Sequence, residues 1–259
     1  LGAYMGLIKQ IDDQMGVLFD YLRDTGQLEN TVIAITSDHG DYMGDHWLGE
    51  KDLFHEPSVK VPLIIYDPSP EADATRGTVC DALVESIDLA PTFVEMAGGT
   101  PRDEHLEGLS LVPFLHGKAP DSWRDFVVSE YDYSMTAMAA KMGVTPKDAR
   151  LFMAFDGRWK LMHAEGKMPP MLFDLENDPN ELVDLGRDPA YEEQRRACYE
   201  ILGEWSRRCA QRNTISDDEI VSRRGKSRRK GIVLGMADPA AADPELTVKY
   251  SGKTKQRFV

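Results

Sequence analysis

Apolar residues recur every three or four positions at Met5, Ile8, Ile11, Met15, Leu18 and Leu22, a spacing that lines one face of an α-helix from about Ala3 to Asp24. Gly26 ends it. The pattern then changes. "TVIAIT", Thr31 to Thr36, is a continuous run rich in β-branched residues, which predicts a strand buried on both faces of a parallel sheet. A second run, "KVPLIIYD" from Lys60 to Asp67, carries Pro62 near its start, where a strand tolerates proline. "DLAPTFVEMAGG" follows, with Asp88 placed to cap a helix, Pro91 in its first turn and Gly98 at its stop. Helix, strand, strand and helix in this order predict an α/β sheet flanked by helices.

After the loop that closes with "GKAPDS" the character shifts. "DFVVSEY", "LFMAFDG", "WKLMHAEG" and "MLFDLENDP" are short apolar runs punctuated by Gly, Pro, Asn and Asp, the pattern of a small antiparallel sheet. "PAYEEQRRACYEILGEWSRRCAQR" is then helical, with Tyr191, Arg195, Cys198, Ile201, Leu202 and Trp205 along one side. This divides the chain into an α/β core portion over 1–120, a small antiparallel sheet with a packed helix over 121–212, and an extended tail over 213–259. The tail is polar and weakly periodic, and is expected to be an oligomer contact.

With 259 residues and 42% hydrophobic content, the chain is large enough for a packed core. Its apolar runs fall far short of the roughly 20 residues of a membrane span, so no membrane partner is expected. A formal net charge of -14 disfavours nucleic acid, since binding a phosphate backbone requires clustered cations. "SRRGKSRRK", Ser222 to Lys230, breaks the acidic pattern; it is either a solvated linker or subunit contact, or a site for RNA or an acidic partner. The cysteines Cys80, Cys198 and Cys209 lie far apart without a CxxC pair. They predict reduced thiols and a cytoplasmic location rather than a disulfide framework or thiolate zinc site.

Candidate chemistry gathers in "ITSDHGDYMGDHWLGEKDLFHE", Ile35 to Glu56. Asp38 and His39 stand at the carboxyl end of the first predicted strand, where open α/β sheets place their ligands. A carboxylate beside an imidazole can hold a divalent cation if a turn at Gly40 lets both converge; the same four residues also make a serviceable turn. Two donors are too few for a closed site. Lys51 either binds an anionic oxygen or pairs with Glu50 or Asp52. His55 and Glu56 could face the same edge, and His46 lies mid-loop.

"NTVIAITSDHGDYMGDHWLGEKDLFHEPSVKVPLIIY" resembles the sulfatase and phosphonate monoester hydrolase branch of the alkaline phosphatase superfamily. The resemblance continues through "ESIDLAPTFVEMAG", "LEGLSLVPFLHG", "GRWKLMH" and "LFDLENDPNELVDLGRDP", and so covers about Ala3 to Arg212. It implies an alkaline-phosphatase-like mixed sheet followed by the small antiparallel sheet, and a metal-dependent hydrolase of small anionic esters, of sulfate first and of phosphonate or phosphate next. By the resemblance, Asp38 and His39 match two metal ligands, and Lys51 matches a lysine that contacts sulfate or phosphonate oxygens. His55 is a leaving-group acid, a substrate contact or a packing residue, and His46 is scaffold. The cation is Ca²⁺ or Mn²⁺, the imidazole suiting a transition ion.

The departures from the family pattern carry more weight than the matches. The family's early Cys/Ser-x-Pro-x-Arg segment, whose Cys or Ser becomes a formylglycine nucleophile, does not occur here, nor does the Asp pair that supplies the remaining metal ligands. The simplest expectation is a carboxyl-terminal portion of a longer hydrolase, inactive alone and with an incomplete metal site. The alternative is a non-catalytic regulatory or assembly domain that keeps the sulfatase fold.

Overall fold

A computed structural model describes residues 2–208 together with 216, 218, 219 and 222. The chain divides after Thr214. The expected tail contact, the basic cluster beyond Ser222 and Cys209 lie outside the described residues.

The first helix, α1 (Gly2–Asp24), forms where the apolar spacing predicts it, and Gly26 at φ 68° follows its end. Only Leu22 of this helix is buried, and Met5, Ile8, Ile11 and Leu18 are exposed. An apolar stripe at helical spacing is the signature of a face packed on a core, yet the described residues leave Met5, Ile8, Ile11 and Leu18 of this one exposed.

Strand β1 (Ile33–Thr36), short helix α2 (Glu56–Val59) and strand β2 (Leu63–Tyr66) come next, with β2 opening directly after Pro62. Here the structure corrects the expectation of a parallel sheet: β1 pairs antiparallel with β2, Ile33 opposite Tyr66 and Thr36 opposite Leu63. Nor is β1 buried on both faces. Ile33 and Ile35 are half-buried while Ala34 and Thr36 are exposed, the alternation of a strand with one covered face. Helix α3 (Leu89–Met96) follows, and Gly98 ends it at φ 77°. Asp88 serves a different end from the one expected. It leaves α3 without a side-chain cap, closes a capping box with Glu85 in the preceding turn, and is held in a two-pronged pair by Arg124.

Beyond α4 (Val112–Leu115) lie β3 (Val127–Asp132), α5 (Ala137–Met142), β4 (Arg150–Phe155), β5 (Trp159–Ala164), β6 (Met171–Asp174) and α6 (Glu192–Ser206). The four strands form one antiparallel meander in the order β3-β4-β5-β6. Successive side chains on a strand point to opposite faces, so β5 serves two cores. Leu161 packs with Leu172, Cys198 and Leu202 beneath α6, whereas Met162 joins Met153, Phe173 and Phe54 on the other face. Phe54 belongs to the loop carrying the candidate site, so that loop is built onto the meander. No helix among the described residues is long and apolar enough to cross a membrane.

Candidate functional site

The site loop begins where β1 runs out of apolar residues. Ser37 Oγ donates to the His39 carbonyl at 2.7 Å, and the Gly40 N–H donates to the Ser58 carbonyl at 2.7 Å. This docks the loop on α2. The approach requires glycine: a Cβ on Gly40 would stand 1.9 Å from the Pro57 carbonyl oxygen, far inside contact distance.

Three of the expected residues converge. His39 Nδ1 lies 2.7 Å from the Gly40 carbonyl oxygen; a carbonyl only accepts, so Nδ1 carries the proton. Nε2 therefore presents its lone pair, the tautomer that ligates a metal, and a backbone carbonyl is the usual second partner that fixes it. The Lys51 ammonium donates to that lone pair at 2.8 Å, and Asp38 Oδ2 lies 3.5 Å from the same nitrogen. The Asp38 side chain is 84% exposed and that of His39 38%, so the group opens to solvent. A cation already sits against the donor pair, in the form of an ammonium, and the carboxylate and imidazole donors fit a divalent ion. Among the described residues no group of three or more His, Cys, Asp or Glu side chains could hold a metal.

His55 has other company. It is 6% exposed, its Nδ1 accepts from the Tyr42 hydroxyl at 2.9 Å, and its backbone N–H donates to the same oxygen at 3.3 Å. His46 stacks on its ring at 4.0 Å between centroids, and Phe173 meets it edge-on at 5.5 Å. Burial, with smaller contributions from the charges of His46 and Lys160, pushes the His55 imidazole down to about 4. Burial likewise pushes the Tyr42 phenol up to about 12, so it remains a donor.

The depressed His55 value makes folding sensitive to acid. Below the ordinary imidazole value the unfolded chain takes up a proton that the folded chain resists until about pH 4. Stability is therefore present above pH 6.5 and is lost as pH falls through that window, by on the order of 3 kcal/mol. Urea midpoints measured from pH 7 to pH 4 should drop steeply for the native chain and less so for His55→Gln. Parallel curves for the two would exclude His55 as the source.

The loop between Tyr42 and Asp52 holds Met43, His46, Trp47, Glu50 and Asp52 at positive φ, conformations that cost roughly 1–3 kcal/mol each outside glycine. The Tyr42–His55 pair and the His46 stack fasten it beneath. Glu56 is tied to the meander instead. Its carboxylate accepts from Lys160 at 2.6 Å, and its backbone N–H donates to Glu181 at 2.6 Å. Sequence reasoning gave Tyr42, Lys160 and Glu181 no role; a lysine inside the apolar run "WKLM" was the available signal.

Residues 44–207 match the family described as N-sulphoglucosamine sulphohydrolase, C-terminal. The multifunctional alkaline phosphatase superfamily protein PehA of Trinickia caryophylli is 38% identical over 193 residues, covering 73% of this chain and 37% of that protein. An arylsulfatase of Clostridium perfringens is 34% identical over 192 residues, covering 74% and 37% respectively. Among solved structures, the phosphonate monoester hydrolase of Agrobacterium radiobacter superposes with a TM-score of 0.70 at 34% identity, covering 76% of this chain and 39% of that one. The chain thus spans well under half the length of the relatives it matches.

Proposed function

The chain belongs to the family of sulfatases and phosphonate monoester hydrolases in the alkaline phosphatase superfamily, and on that premise we propose that it supplies the Asp38, His39 and Lys51 side of a metal-dependent ester hydrolase. The observation that carries this reading is the convergence of Asp38 Oδ2 and the Lys51 ammonium on the unprotonated Nε2 of His39. Asp38 and His39 hold the cation, Ca²⁺ or Mn²⁺. When bound, such an ion polarises a sulfuryl or phosphoryl group and offsets the charge that builds on its oxygens. Gly40 keeps His39 in the ligating tautomer through its carbonyl. Lys51, donor-only and exposed, offers its ammonium to the equatorial or leaving oxygens of a small anionic ester, with sulfate esters preferred.

The nucleophile is assigned to a segment that these 259 residues do not contain, because no Cys/Ser-x-Pro-x-Arg occurs among them. The exposed apolar stripe of α1 supports the same division, as a surface the remaining α/β core would cover. The free Cys80 and Cys198 thiols support a reducing, cytoplasmic setting.

Two measurements test the proposal. The purified chain with added Ca²⁺ or Mn²⁺ should not turn over 4-nitrophenyl sulfate or a phenylphosphonate ester, and turnover would end the division of labour. In an enzyme polypeptide that contains both halves, His39→Gln should lower bound metal and activity together. Full activity there would remove His39 from the site.

A further inference from the structure

A buried ionic cluster ties the start of α2 to the meander. Lys160 sits on the central strand β5 with its side chain 1% exposed, between Phe155 on β4 and Phe173 on β6. Its ammonium reaches Glu56 Oε1 at 2.6 Å and Glu181 Oε1 at 2.8 Å. Glu181 is fully buried, and its Oε2 accepts the backbone N–H of Glu56 at 2.6 Å. The contact of Oε1 with Lys160 lacks hydrogen-bond alignment, which leaves that oxygen without an aligned donor. Glu181 also holds φ at 53°. A buried cluster of two carboxylates and one ammonium, with Glu181 strained in its backbone and imperfectly satisfied, is poor construction for stability alone.

What the cluster grips is the first residue of α2. Glu56 leads through Pro57 to Ser58, whose carbonyl receives the Gly40 N–H. Gly40 in turn fixes the His39 tautomer with its own carbonyl. We infer that Lys160 and Glu181 are positioning residues for the candidate metal site: they hold α2 at the height at which Gly40 orients His39. The inference rests on the half-site reading above. It requires that displacement of Glu56 be felt at His39, through the backbone contact at Gly40 that admits no Cβ.

Glu181→Gln tests this in the intact chain. The amide keeps the shape and an acceptor for the Glu56 N–H but loses the charge that holds Lys160 and Glu56 together. The readout is the ¹⁵N NMR signature of the His39 ring without metal, followed by broadening of the same ring signals on titration with Mn²⁺. In the native chain Nδ1–H should dominate. In Glu181→Gln, with native-like circular dichroism, the two tautomers should approach equal population and the Mn²⁺ needed for half-broadening should rise roughly 10- to 100-fold, the range expected when an outer partner of a ligand is lost. Glu181→Asp, which keeps the charge on a shorter arm, should recover part of the tautomer bias. A His39 ring signature unchanged by Glu181→Gln overturns the inference. Should native His39 fail to respond to Mn²⁺ at all, the metal-site reading falls, while the metal-free tautomer shift still decides the positioning role.

Discussion

Lys51→Met is expected to tighten metal binding and to weaken catalysis at once. Nε2 of His39 has one lone pair, and the Lys51 ammonium donates to it at 2.8 Å; a metal ion and that hydrogen bond exclude each other. Removing an exposed unit charge a few ångströms from a dication relieves a repulsion worth roughly a five- to thirtyfold change in affinity at the dielectric of water. The opposite sign applies to turnover. In an enzyme polypeptide carrying both halves of the site, loss of a preorganised donor to developing oxyanion charge should lower kcat by about 10²- to 10³-fold. Calorimetric Mn²⁺ titration and initial rates with 4-nitrophenyl sulfate and a phenylphosphonate ester measure the two halves of the expectation. Lys51→Arg should recover only part of kcat, because a planar fork does not replace a compact point charge. If Lys51→Met binds Mn²⁺ more weakly, or leaves kcat intact, Lys51 is a loop residue and not an oxyanion contact.

The opposed signs also separate Lys51 from its neighbours. Asp38 and His39 present electron pairs, so their loss should reduce affinity and rate together. Glu50 and Asp52, the ion-pair partners that spacing offered to Lys51, are exposed carboxylates, so their loss should weaken cation binding slightly, opposite in sign to Lys51→Met. The geometry favours His39 as its partner, an arrangement invisible to charge counting because imidazole carries no formal charge in such a count.

How much of this was legible in the sequence depends on whether a signal was local. Helix α1, the four strands of the meander and α6 follow from periodicity and turn residues, since each is dictated by its own stretch of chain. The direction of β1 was not legible. A continuous apolar run indicates covered faces, but it is silent on which strand pairs with it, and the pair with β2 is antiparallel. Helix α5 was missed because "AMAAKM" has little contrast between its faces; its Thr136 cap and Gly143 stop were the signals present. At the site, adjacency marked Asp38 and His39, and family resemblance marked Lys51. The contacts that hold the start of α2 are long-range: Glu181 meets the Glu56 backbone across 125 residues of chain and Lys160 meets its carboxylate across 104. No spacing rule reaches that far.

The cost of removing Lys160 follows from that long-range construction. Lys160→Met keeps the length and most of the volume of the side chain, so packing on Phe155 and Phe173 is largely retained. It leaves Glu181, fully buried, and Glu56, with a side chain 21% exposed, without their shared cation. An uncompensated buried charge of this kind costs about 3–5 kcal/mol, which should appear as a large fall in the urea midpoint at neutral pH. Adding Glu181→Gln to Lys160→Met removes the orphaned charge while keeping an acceptor for the Glu56 N–H. The double variant should therefore be more stable than Lys160→Met alone, a non-additivity of the sort that residues in one network display. If the two substitutions simply add, the three side chains do not act as a unit, and the meander holds the site loop by apolar contacts such as Phe54 alone.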